Sequence, residues 1–197
     1  MSCDKSKNCL PCPPILPINF IVGNTAPQVG VPKIINGVEA NRMFRNGIPT
    51  TCDSKKICPG PFVDGPIAYT ALGFYNPGRK AACVTITITN ISSDLDLFSH
   101  AHLKCYDPTD ICRNYLGDSG ISGTMGVPIS YQIVLPEGTK KFVIILENIT
   151  SNQVPAAGIL TISGLPCQPV LSTRPLLTTT LKPTPGPGND LTNALTS

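Results

Sequence analysis

The sequence predicts an all-β fold, a jelly roll or β-sandwich of about seven to eight strands with an extended N-terminal arm and a C-terminal tail. Three observations predict it. Period-two alternation of β-branched residues recurs, most clearly in ACVTITITN, where Val84, Ile86 and Ile88 alternate with Thr85, Thr87 and Thr89. The chain of 197 residues holds 21 prolines and 17 glycines, which interrupt helices and punctuate strands. No segment of useful length carries an apolar period of 3.6.

Residues 1–35 read as an arm. CPPILP runs extended because each proline fixes φ and removes a donor, and PINFIVG is able to add a strand to a neighbouring sheet. Residues 36–167 read as the sandwich, with a short strand in NRMFRNG and longer ones in IAYTALGFY, ACVTITITN, LFSHAHLKC and GILTIS. PISYQIVL and KKFVIILEN flank a turn at Pro136–Gly138 and are expected to pair as an antiparallel hairpin. The apolar run Phe142–Leu146 marks a central strand, and DPTDICRNYLGD has room for one helical turn. Residues 168–197 form a Pro/Thr-rich tail, extended or disordered, in which PLLTTTL offers a further strand.

Composition narrows the function classes. Hydrophobic residues at 41% are enough for one core. A net charge of +3, spread along the chain, gives no footprint for nucleic acid. The absence of tryptophan counts against broad aromatic platforms. No apolar run approaches the roughly 20 residues of a membrane span. The apolar stretch near the start is cut by Pro11, Pro13, Pro14 and Pro17, unlike a secretory signal. Nine cysteines in a chain this short point to an oxidising destination. The expected location is extracellular or on a spore surface, without a recognisable signal peptide.

An odd cysteine count leaves a thiol free or paired with another chain. Cys52 with Cys58 and Cys105 with Cys112 would each close a short loop, leaving Cys83 and Cys167 to pin the last strand. Six cysteines allow 15 pairings, so the connectivity stays open. Cys83 lies on the threonine face of its strand, where another subunit's arm has access to it. In the arm, Cys9 and Cys12 form C-x-x-C, but the helix start of a redox motif is missing. Cys3, Cys9 and Cys12 supply three ligands where structural zinc needs four. Cross-links between chains are the expected use of Cys3, Cys9, Cys12 and Cys83, with a local bridge as the alternative.

His100 and His102, two apart on a strand, share a face, and two imidazoles are able to hold a metal; no third ligand is evident. Asp94, Asp96, Asp107 and Asp110 fit turn chemistry as well as calcium. The sequons at Asn90 and Asn148 fall at strand ends. Neither a cofactor nor a metal is expected. No nucleophile motif of the G-x-S-x-G kind occurs, so catalysis is not expected either.

RMFRNGIPTTCDSKKICPG, then AACVTITIT, a Y-D-P-x3-C-x-N-Y-L-G-D segment and a closing S-G-L-P-C resemble, in this order, a β-sandwich module repeated in large secreted bacterial surface proteins. The resemblance covers about residues 40–167 and implies a stable extracellular jelly roll without catalysis. A jelly roll behind a cysteine arm is also similar in architecture to the pilins of bacterial endospore appendages (the Ena type), here with C-x5-C-x2-C spacing. That similarity implies sheet augmentation and disulfide locking between subunits.

The expected function is therefore a structural subunit that self-assembles into a disulfide cross-linked extracellular or spore-surface fibre, by strand augmentation and arm docking. Its partners are copies of itself, with other cell- or spore-surface proteins possible, and neither nucleic acid nor a membrane span is involved. The alternatives are a monomeric binding or adhesion module, carbohydrate-binding-like, with Tyr69, Tyr75, Tyr106 and Tyr115 lining a face, or a non-fibrous spore-coat protein.

Overall fold

A computed structural model describes residues 17–22, 33–63, 65–76, 80–91, 96–150 and 156–165. Cys3, Cys9, Cys12, Asp94, Cys167 and the tail lie outside the described residues, as does most of the arm. The described residues form eleven strands and no helix: β1 (Ile18–Ile21), β2 (Lys33–Glu39), β3 (Arg42–Met43), β4 (Pro61–Phe62), β5 (Ile67–Tyr75), β6 (Ala82–Asn90), β7 (Leu97–Leu103), β8 (Tyr115–Asp118), β9 (Ile129–Leu135), β10 (Lys141–Asn148) and β11 (Ala157–Ser163).

The strands form a four-stranded sheet, β1-β11-β6-β9, a five-stranded sheet, β2-β5-β10-β7-β8, and the small pair β3-β4. Every strand pairing is antiparallel. The pairs β1·β11, β5·β10, β6·β9 and β7·β8 read as one long antiparallel ribbon wound into two facing sheets, which is a jelly roll. β2 extends the second sheet beyond β5. The all-β sandwich expected from the alternation is the fold observed.

Period two explains the core. On β6, Val84, Ile86 and Ile88 are buried while the threonines between them are half-exposed. Ile133 and Leu135 of β9 and Leu160 and Ile162 of β11 join them from the same sheet, and Leu72, Phe142, Ile144 and Leu146 meet them from the other. Tyr131 is buried with its hydroxyl 2.9 Å from that of Ser99 across the sandwich, so the polar tip has a partner.

Two expectations change. The first is the hairpin at Pro136–Gly138: among the described strands β9 pairs with β6, and β10 lies between β5 and β7 in the opposite sheet. The turn, with Gly138 at φ 79°, is an arch between sheets. The burial patterns give the reason. β9 buries alternate residues and suits a sheet with one wet face, whereas β10 is buried on both faces from Ile144 to Asn148. The central strand expected at Phe142–Leu146 is present. The second concerns PINFIVG: Ile18–Ile21 pairs with β11 of its own chain, so the sandwich already takes up this stretch of the arm. Phe20 stands opposite Gly158, where any Cβ would meet its ring at 2.4 Å. The stretch Asp107–Tyr115 forms successive reverse turns through Asp110 N–H to Asp107 C=O (3.1 Å) and Arg113 N–H to Asp110 C=O (2.9 Å).

The motif residues Arg42 to Cys52 and Tyr115 to Asp118 meet. The segment from Gly47 to Cys52 bridges the two sheets: Thr50 N–H donates to Asp118 C=O at 3.0 Å, and Gln132 N–H donates to Thr50 C=O at 2.7 Å. Asp118 N–H donates to Thr50 Oγ1 at 3.0 Å. The buried Asp118 carboxylate pairs with Lys56 Nζ at 2.6 Å and accepts from the Tyr115 hydroxyl. Lys56 also reaches Ile48 C=O at 2.8 Å. These residues close the roll. Lys56→Ala leaves Asp118 buried without its cation, and a loss of about 3–5 kcal/mol is expected in urea unfolding.

Candidate functional site

The five-stranded sheet has an inner face in the core and an outer face with two unlike halves. Cross-strand register puts Glu147 of β10 level with Tyr69 on β5 and Phe98 on β7, and Ile145 level with Ala71 and His100. Glu39 ends the neighbouring edge strand β2. Gly37 of β2 faces Tyr69, whose ring lies where a Cβ would stand at 2.6–2.8 Å, so only glycine lets the ring lie across the edge strand.

One half is covered. The β3–β4 pair and the loop from Lys104 to Asn114 pack over it, burying Met43, Phe98 and Ile111 as a second small core. The loop leaves and rejoins the sheet at Lys104 (φ 69°) and Asn114 (φ 61°). A disulfide from Cys58 to Cys112 ties the loop to the segment before β4. The Arg42 guanidinium lies 4.1 Å over the Phe62 ring.

Beneath this cover lies a polar chain. His102 Nδ1 is 2.9 Å from Arg113 C=O, His102 Nε2 is 2.6 Å from His100 Nδ1, and His100 Nε2 is 2.8 Å from Glu147 Oε1. The Tyr106 hydroxyl donates to Glu39 Oε2. Its ring crosses those of His100 and His102 at centroid distances of 5.4 and 4.9 Å. Glu39, His100, His102 and Glu147 are all buried. Burial, then the Glu147 charge, pushes the Glu39 carboxyl up to about 9; burial pushes Glu147 up to about 7, opposed by hydrogen bonds and by Arg42 and Arg45. Burial pushes His100 down to about 4 and His102 down to about 3. Both rings are therefore neutral near pH 7. Glu39, His100 and Glu147 each offer a ligand atom, all within 4.8 Å of one another, and so are able to hold a metal.

The other half is an open groove of about 180 Å³, lined by Ile35, Ala71, Gly73 and Val143 with Tyr69, Tyr75 and Tyr106. Lys104, Cys105 and Lys141 also line it. Tyr75 is 55% exposed, and Lys141 Nζ stands 5.2 Å from its ring centroid. Tyr106 serves both halves, as a wall of the groove and a roof of the polar chain.

The structure places the cysteines differently from the loop-closing expectation. Cys52 pairs with Cys83, and Cys58 with Cys112. Thr50 and Cys52 follow β9, whose Val134 is level with Cys83 of β6, so the bridging segment delivers Cys52 to Cys83. Cys83 does lie on the exposed face, but its sulfur is already bonded within the chain and is not left for an arm. Cys105, expected to pair with Cys112, is an exposed free thiol, because the loop directs Cys112 toward Cys58. Three of the four tyrosines expected on one face do share the groove; Tyr115 packs into the covered core instead. His100 and His102 share a face as expected, inside a covered site. Sequence reading missed Glu39 and Glu147, although a carboxylate directly after the run FVIIL was a signal. Asp107 accepts from Thr109 N–H (3.1 Å) and Thr109 Oγ1 (2.7 Å) and pairs with Arg113 at 3.3 Å, which is turn chemistry. Asn90 and Asn148 are fully buried.

No protein-family model and no curated protein matches the sequence. Among solved structures, the chain is similar to the epithelial adhesin 6 A domain of Candida glabrata, solved with Galb1-3GlcNAc (18% identity, TM-score 0.31, covering 64% of this chain and 58% of that one). It is similar to the CBM22-1 xylan-binding domain of Paenibacillus barcinonensis Xyn10C (10% identity, TM-score 0.30, 66% and 99%). It is also similar to the family 29 carbohydrate-binding module CBM29_1 of Piromyces equi (15% identity, TM-score 0.28, 66% and 91%). The chain thus spans 58% of the adhesin domain's length. These superpositions are loose, and no property of the site follows from them.

Two outcomes are expected. Peptide mapping without reduction recovers the Cys52–Cys83 and Cys58–Cys112 bridges, and iodoacetamide labels Cys105 in the folded protein. In chelator-treated protein, thermal stability has an unusual pH profile. Glu39 and Glu147 hold protons in the fold that they release at about pH 4.3 when unfolded, so their contribution fades as pH rises through about 7 and 9. The two histidines take up protons on unfolding below about pH 6.5, so stability also fades as pH falls toward their folded values. The melting temperature peaks at about pH 5–6 and drops on the alkaline side, where Glu39→Gln flattens the fall.

Proposed function

We propose that this chain is a non-catalytic extracellular binding module and that its site is the tyrosine-lined groove on the outer face of the five-stranded sheet. The observation that carries the reading is the convergence of Tyr69, Tyr75 and Tyr106 on the open half of a face whose other half is sealed. An apolar concavity left uncovered beside a covered one is where a partner gains burial. Aromatic faces, the exposed Tyr75 with its phenolic hydroxyl and two lysine amines suit a ligand with apolar faces and hydroxyl edges, the chemistry of a saccharide. The two disulfides fit an oxidising, extracellular setting.

The chain has no tryptophan and five tyrosines, three of them in the groove, so tyrosine emission reports on the site. Titration with soluble oligosaccharides of β-linked glucose, xylose and galactose is expected to change that emission saturably for one class, with the response lost in Tyr75→Ser. No response from any of the three sinks the saccharide reading.

A second reading is favoured by Cys105, an exposed free thiol at the groove, where the other four cysteines among the described residues form two disulfides. In this reading the occupant is the cysteine arm of another copy, and Cys3, Cys9 or Cys12 of one chain bonds Cys105 of the next. Repeated head to tail, the contact builds a fibre. Non-reducing gels are then expected to show ladders, and negative-stain images regular fibres, both lost in Cys105→Ser. A monomer band and no assemblies in the unaltered protein contradicts it.

A further inference from the structure

We propose that Glu39, His100 and Glu147 bind one divalent first-row transition-metal ion of the zinc class, in a buried site roofed by Tyr106 and independent of what the groove holds. Three strands supply the ligands: the edge strand β2 through Glu39, β7 through His100 and the central strand β10 through Glu147. One ligand atom from each lies within 4.8 Å of the others.

With the two carboxyls ionised, as they are when a metal displaces their protons, hydrogen-bond accounting points to a cation. A backbone carbonyl only accepts, so Arg113 C=O requires the proton of His102 on Nδ1. With that ring neutral, His102 Nε2 is an acceptor, and His100 Nδ1 must carry the proton between the two rings. His100 Nε2 is left with a lone pair directed at Glu147 Oε1 at 2.8 Å, a contact that needs either a carboxyl proton or a cation between the two. Glu39 Oε1 and Glu147 Oε2, on side chains only 2% and 0% exposed, receive no donor from the rest of the protein, and there the two carboxyls meet only each other, through a carboxyl proton that a metal ion would displace. Lone pairs converging out of water are what a metal ion satisfies.

The donor set selects the ion. One imidazole nitrogen and two carboxylates match a zinc-type site with three protein ligands and a small fourth one, and two carboxylate charges balance a divalent cation. Calcium takes six to eight oxygens and magnesium keeps several waters, which a covered imidazole site does not favour. Ligands about 2.0–2.1 Å from zinc at a tetrahedral angle stand about 3.3 Å apart, so His100 and Glu147 need separate by only about 0.5 Å. The outer partners are in place. His102 fixes the His100 tautomer, and the Tyr106 hydroxyl holds the second oxygen of Glu39. A bound ion ties the edge strand to the centre of its sheet, and its cover leaves it no role at the surface.

The test uses the full chain, chelator-treated and alkylated with iodoacetamide so that free thiols do not compete. Zn²⁺ is added under isothermal titration and thermal melting, with Co²⁺ as the spectroscopic probe. One equivalent bound per chain, a raised melting temperature and a visible Co²⁺ band are expected, with affinity reduced at least tenfold in Glu39→Gln and in Glu147→Gln. If Glu147→Gln does not fold, Glu39→Gln and the titration of the unaltered chain decide. No saturable uptake overturns the proposal, and so does uptake that Glu39→Gln leaves unchanged.

Discussion

β10 must be buried on both faces, and much of the molecule follows from that constraint. Its inner residues Phe142, Ile144 and Leu146 build the sandwich core. Its outer residues Ile145 and Glu147 need a second cover, which an ordinary two-sheet sandwich does not supply. The β3–β4 pair and the loop from Lys104 to Asn114 are that cover, and the Cys58–Cys112 bridge ties them together. Because one of the outer residues is a glutamate, the cover also encloses a carboxyl group. The chain from Arg113 C=O through His102 and His100 ends on it.

The cover also defines the surface. It reaches only part of the outer face, and where it stops, Tyr106 becomes the wall of an open groove. Cys105 stands next to it in sequence and is exposed because the same loop commits Cys112 to the bridge. The groove, the free thiol and the polar chain thus have one structural origin. A substitution that loosens the loop would disturb all three, whereas one at Tyr75 touches the groove alone.

Much of the fold was legible in the sequence. Val84, Ile86 and Ile88 against their threonines showed a strand with one wet face, and Phe142–Leu146 showed a strand with none. The contrast between β9 and β10 also contained the news that they belong to different sheets, but the turn residues Pro136–Gly138 suggest a hairpin and say nothing of layer. Pairing partners are non-local, so the disulfides were not legible. Cys52 and Cys58 are close in sequence, yet the bridging segment carries one toward β6 and the other over the outer face. The polar site was half legible. The spacing of His100 and His102 gave a shared face, but Glu39 lies 61 residues before His100 in sequence and Glu147 lies 47 after it, and only the sheet register unites them.

The most direct test of this account reads the protons on the two imidazoles. The chain has two histidines, so ¹⁵N-edited NMR of chelator-treated protein near pH 7 assigns each ring without ambiguity. The account predicts that both rings are neutral with the proton on Nδ1, leaving the His100 Nε2 lone pair toward Glu147. An imidazolium at either residue, or a proton on Nε2 of either ring, would contradict it.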